Sequence, residues 1–91
     1  MEDNINDSLN LIVRGKNSFT EVHLGKLSLY FSYGTLIAIS SEKHGRFISK
    51  NYWGTTTGKH LNSIDCDQSI RIEREDFDKI VKRIIKHHRL I

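Results

Sequence analysis

Hydrophobic and polar positions alternate through the first half of the chain. Val22 and Leu24 alternate with Glu21 and His23, and Leu27, Leu29 and Phe31 alternate with Ser28, Tyr30 and Ser32. A period of two sorts side chains to opposite sides of a strand, so the pattern predicts two half-buried strands. Gly25-Lys26 between them is a two-residue Gly-X connection of the kind that closes a hairpin. Gly34 marks a bend or bulge. Leu36 to Ile39 is then apolar on both parities, as in a central strand covered on both faces. The polar turn Glu42-Lys43-His44-Gly45 precedes a further strand expected over Arg46 to Trp53. Residues 19–53 therefore read as an antiparallel meander. Upstream, Leu9 to Arg14 is a strand or a short helix, a choice that periodicity does not make, and Gly15-Lys16-Asn17-Ser18 is a turn signal.

The period changes in the second half. Phe77, Ile80, Val81, Ile84, Ile85, His88 and Ile91 recur at helical spacing and fill one stripe about 140° wide. Lys79, Lys82, Arg83, Lys86 and Arg89 take the opposite side. Acidic Glu75, Asp76 and Asp78 open this helix and bases close it, which suits the helix dipole, and Glu75–Lys79 and Asp78–Lys82 are spaced as ion pairs. Residues 54–69 are polar, dense in hydroxyls and punctuated by Gly54 and Gly58. Leu61 and Ile64 predict one or two helical turns beginning near Thr57, with Trp53 packed under this loop, and Ile70 and Ile72 a last short strand.

These elements predict an α+β fold: an antiparallel meander sheet of four or five strands with the C-terminal amphipathic helix on one face. Residues 9–91 form the single domain, and residues 1–8 are expected to be a disordered acidic tail. Two layers would leave the other sheet face, with Tyr30 on it, for a partner.

Leu, Ile, Val and Phe make up 27 of the 91 residues, enough for a folded domain but only a small core. The net charge of +3 is unevenly spread: residues 1–10 carry −3, 11–64 carry +5, 65–73 carry −2 and 74–91 carry +3. A basic body suits an anionic partner. Cys66 is the only cysteine, which fits a reducing compartment. The apolar run at Leu9–Val13 is too short for a secretory signal, and no run approaches the roughly 20 residues that cross a bilayer. The expectation is a cytoplasmic protein with no membrane partner.

The segment Trp53-Gly54-Thr55-Thr56-Thr57-Gly58-Lys59-His60-Leu61-Asn62 is the densest in candidate chemistry. It is not a Walker A loop, which needs four residues between its glycines and Ser or Thr after Lys. Two readings stay open. Backbone N–H groups at a helix start, with Lys59 beside them, can hold a phosphate or carboxylate. Alternatively, the threonines cap the helix and Gly58 serves a tight turn. Tyr30, Tyr33, Tyr52 and Trp53 interleave with Lys26, Lys50 and Lys59, a composition that can stack nucleobases. The basic face Lys82, Arg83 and Lys86 can lie on phosphate or an acidic surface, or simply be solvated. No catalytic set is legible. Asp65 and Asp67 flank Cys66 and disfavour a thiolate. His87-His88 lack metal-ligand spacing, His88 falls on the apolar stripe, and His60 and Cys66 lack companions. No enzyme activity, cofactor or metal is expected.

The same segment, with Glu21-Val22-His23-Leu24-Gly25 and Leu29-Tyr30-Phe31-Ser32-Tyr33, resembles a family of small proteins encoded by bacteriophages and prophages. The resemblance covers roughly residues 19–90. Where that family has Pro after the Ser-Tyr strand, this chain has Thr35-Leu36 and contains no proline. The resemblance implies a mobile genetic element acting in a bacterial cytoplasm. The expected function is stoichiometric binding of a host protein or ribonucleoprotein complex, for example inhibition of a host defence system in the manner of an anti-CRISPR. The alternative is direct binding of nucleic acid or of a nucleotide or phosphate-bearing ligand. Candidate partner or anion contacts are Thr55, Thr56, Thr57, Gly58, Lys59, His60, Lys82, Arg83 and Lys86, with Tyr30 and Tyr52 as aromatic contacts. A dimerising module is a third reading.

Overall fold

The structure, a computed structural model, describes residues 11–16 and 18–88. The acidic tail expected at 1–8, and Arg89 and Ile91 of the expected helical pattern, lie outside these residues. Five strands form a meander in chain order: β1 (Leu11–Lys16), β2 (Phe19–Leu24), β3 (Leu27–Ser32), β4 (Thr35–Ser41) and β5 (Gly45–Ile48). Two helices follow, α1 (Thr55–Ile64) and α2 (Arg74–His87), with a 3-10 turn at Gln68–Ile70 between them. The fold is α+β with the C-terminal helix on one sheet face, as the patterning predicts. The ambiguous first segment is a strand, paired to β2 from Leu11 opposite Leu24 to Lys16 opposite Phe19.

A bulge sets the middle of the sheet. Tyr30 pairs with Ala38 and Phe31 with Leu36, so Ile37 is the extra residue on β4. Ile37 and Ala38 therefore join the same buried cluster instead of alternating across the sheet. On one side Leu27, Ile39, Phe77 and Ile84 are buried together, with Ile80 and Val81 of α2 packed around them. On the other, Leu61 of α1 is buried with Ile37, Ala38 and Ile48.

That second cluster corrects the expectation of an open sheet face. The inward positions of α1 are Thr57, Leu61 and Ile64, a stripe too short and too hydroxylated to announce a buried helix. Tyr30 is half-buried and packs against this cluster instead of standing free for a ligand.

Three further corrections concern local structure. The strand expected over Arg46 to Trp53 ends at Ile48. The chain then leaves the sheet through a single parallel bridge, in which Lys50 N–H donates to Ile72 O (2.8 Å) and Ile72 N–H donates to Ile48 O (2.9 Å). Of the expected last strand only Ile72 pairs, because Ile70 lies in the 3-10 turn and is exposed. Finally, Asp78 forms its ion pair with Arg74 one turn earlier (3.1 Å), not with Lys82.

Candidate binding site

The sheet, the β3–β4 turn and the start of α1 meet around a shallow pocket of ≈ 270 Å³. β3 and β4 are joined by only Tyr33 and Gly34, with φ of +51° and +84°. Positive φ at both central residues is the geometry of the tight turn that suits strand twist, and Asn-Gly is its favoured sequence. Tyr33 is the only non-glycine residue with positive φ among those described, and it is 66% exposed. Trp53 lines the same pocket and is 39% exposed. It does not pack beneath the loop as expected; the Arg74 guanidinium lies 5.4 Å from its ring centre. Arg74 also sits over Phe77 and donates to Leu36 O (2.7 Å). That clamp of α2 to β4 and Trp53 left no trace in the sequence pattern.

The pocket floor and far wall are hydroxyls: Ser32, Thr35, Thr55, Thr56 and Thr57, with Gly54. No charged residue lines it. The threonines do not cap α1. Gly54 is the N-cap, no side chain bonds the cap, and no acid occupies the first turn. Gly58 does not make a tight turn either; it lies inside the helix without positive φ. A Cβ at Gly58 would stand 3.1 Å from Asn51 Nδ2. Asn51 needs that closeness, because its amide donates to Gly54 O (3.2 Å) and its Oδ1 accepts from Trp53 N–H (2.9 Å). These bonds fix the approach of Trp53 to the helix start.

Thr57 and His60 face inward. The Ser32 hydroxyl bonds Thr57 Oγ1 at 2.8 Å and His60 Nδ1 at 2.7 Å, while His60 Nε2 lies 3.3 Å from Ser18 Oγ. The His60 ring stacks on Phe19 (4.9 Å). His60 is thus a strut between helix and sheet. Lys59 is exposed and makes no hydrogen bond or ion pair among the described residues. It lies four residues after Thr55 and three after Thr56, so it extends their helix face by one turn.

Tyr52 stands beside the pocket, edge-on to Trp53 (6.1 Å). Its hydroxyl donates to the Glu73 carboxylate, which also accepts from Lys50 (2.6 Å). Hydrogen bonds from Lys50 and then Tyr52 hold the Glu73 carboxyl below its ordinary value. The bond to Glu73 in turn raises both Lys50 and Tyr52. This exposed trio ties the chain leaving β5 to the start of α2.

The structure does not unite the predicted site residues. Lys82, Arg83 and Lys86 are exposed on α2, across the sheet from α1. It does bring His44 of the β4–β5 turn against His87 (4.8 Å) and His88 (6.2 Å), while Ser41 Oγ bonds His44 Nδ1 and His88 Nε2, each at 3.2 Å. Among the described residues no group of His, Cys, Asp or Glu is arranged to hold a metal ion. No described helix is long and apolar enough to cross a membrane.

The fold defines a small α+β protein in which a five-stranded meander carries a helix on each face. The chain belongs to DUF8033, a family of unknown function, whose sequence profile matches residues 5–79. That span includes the pocket and ends before Lys82, Arg83 and Lys86. No curated protein and no solved structure matches the chain.

Proposed function

We propose that this is a small phage-type accessory protein that acts by stoichiometric binding and not by catalysis, with the Tyr33–Trp53 pocket as its contact surface. The observation that carries the reading is the exposure of two large aromatic rings on the walls of one uncharged pocket. Aromatic rings are the side chains most often found as anchors at interfaces, since they bring large contact area at low entropic cost. The resemblance to phage proteins supports a host protein or ribonucleoprotein complex in the bacterial cytoplasm as the target, and inhibition of a defence system as the purpose. The test is capture of targets from infected-host lysate, with and without nuclease, by the parent protein and by Trp53→Ser. A nuclease-resistant partner retained by the parent and lost by a folded Trp53→Ser protein is expected. Equal capture by both removes the pocket from the reading.

A second reading, direct binding of a nucleic acid or a nucleotide, is favoured by one specific feature. The first turn of α1 opens into the pocket with neither side-chain cap nor acidic residue, and Lys59 follows on the same face. Amide donors at such a position attract phosphate.

A further inference from the structure

We propose, resting on the second of these readings, that the Tyr33–Trp53 pocket takes the base of a nucleotide unit, with Tyr33 as its stacking anchor. Tyr33 occupies a left-handed conformation that bulky side chains rarely adopt, in a turn whose favoured first residue is Asn. The residue, 66% exposed, recovers little in return: among the described residues its one ring contact is a tilted approach to His60 at 6.1 Å. An outlier of this kind with little packing to compensate it marks a position kept for what the side chain presents to solvent.

The lining selects the ligand. The exposed Tyr33 ring, the Trp53 ring with Arg74 on one side of it, and a row of hydroxyls, with no carboxylate, suit a flat heteroaromatic ring carrying hydrogen-bonding edges. A sugar would need planar amide or carboxylate partners for its paired hydroxyls. None lines the pocket, and the Asn51 amide beside it is spent on Trp53 and Gly54. A proline-rich peptide would fill the aromatic walls but leave the Lys59 charge, exposed one turn along α1, unmatched. A nucleotide satisfies both, since it joins a stacking face to an anion. The unit can sit in a single strand, including the strand of a ribonucleoprotein, or be free.

Trp53 is the only tryptophan of the chain, so its emission reports on the pocket directly. The experiment titrates the 91-residue chain with a short oligothymidylate, a short oligouridylate and adenosine monophosphate at physiological salt. Saturable quenching by the oligonucleotides is expected, and quenching by the mononucleotide alone would assign the free ligand as the source. Tyr33→Asn should weaken binding about tenfold or more, the loss of one stacked base, while its melting temperature stays at or above that of the parent. Trp53→Phe and Trp53→Ser, followed by anisotropy of a labelled strand, form the second arm: the first retains binding and the second loses it. Unchanged Trp53 emission with all three probes overturns the proposal, as does parental affinity in Tyr33→Asn. If a protein target is captured in a Tyr33-dependent way while emission is unmoved by nucleotides, this inference fails and the binding reading stands.

Discussion

Single side chains divide here into those that hold the molecule and those that face outward. Lys59 is among the latter. Lys59→Ala should shift stability by less than about 0.5 kcal/mol, as expected for an exposed unpaired side chain. If it aims at an anion, its loss removes a charge-assisted hydrogen bond of roughly 1.5–3 kcal/mol, about tenfold or more in affinity. A melting curve and a binding isotherm on one preparation separate the two effects. Glu73 belongs to the first group. Its carboxyl is held below its ordinary value by Lys50 and Tyr52, so ionisation favours the folded state. That contribution is complete above the ordinary value of 4.5 and is lost as pH falls through the lowered folded value. The melting temperature should therefore decline on acidification through this range, and Glu73→Gln should flatten the decline while lowering stability at neutral pH. An acid slope unchanged by Glu73→Gln would assign it to other carboxylates.

At the scale of elements, each helix supplies one core. Phe77→Ala or Ile84→Ala in α2 should cost about 2–5 kcal/mol, and Leu61→Ala in α1 should fall in the same range. A domain of this size has about 5–15 kcal/mol in total, so each change should be plain in a urea titration, while Lys82→Ala should leave the midpoint in place. A negligible effect of Leu61→Ala would mean that α1 is not docked as described. The elements also show what could be read from sequence. The meander and α2 were legible because Leu27, Leu29 and Phe31 repeat by two and Phe77 to Ile85 repeat by the helical period. α1 was half hidden, because its inward Thr57 looks polar and its Gly58 looks like a turn; only the side chains of Ser32 and Asn51, distant in sequence, give those two residues their roles. The site was legible as a segment and not as a surface. Lys59 and the threonines stood out, yet His60 proved to be a strut. Tyr33, the most exposed large hydrophobic residue among those described, was disguised as an ordinary strand aromatic because its turn lacks the usual Asn-Gly.

At the scale of the whole molecule, Lys59 is separated by the sheet from the bases of α2. Lys59 lies on the α1 side, and Lys82, Arg83 and Lys86 lie on the α2 side. The intervening thickness, roughly 20 Å of sheet and packed side chains, exceeds the Debye length of about 8 Å at physiological salt. Replacing Lys82, Arg83 and Lys86 together by Ala should therefore leave oligonucleotide affinity at the pocket within about twofold at that ionic strength. It should reduce affinity visibly only when salt is lowered and the screening length grows. A large loss at physiological salt would place phosphate on the α2 face and move the site there.

Among the described residues, all five strands precede both helices, and each strand pairs with the next through a short connection. During synthesis the sheet is thus complete in sequence before either helix exists. Hairpins close in about 1–10 µs, whereas a ribosome adds roughly 5–20 residues per second, so a nascent chain would spend a second or more as a paired sheet awaiting its helices. In that interval Leu27 and Ile39 on one face, and Ile37 and Ile48 on the other, lack the helix side chains that they pack against in the folded domain. A chain released at Ser49 should accordingly be recovered as aggregate, and premature termination anywhere between β5 and the middle of α2 should be far more harmful to solubility than loss of the charged residues after Ile84.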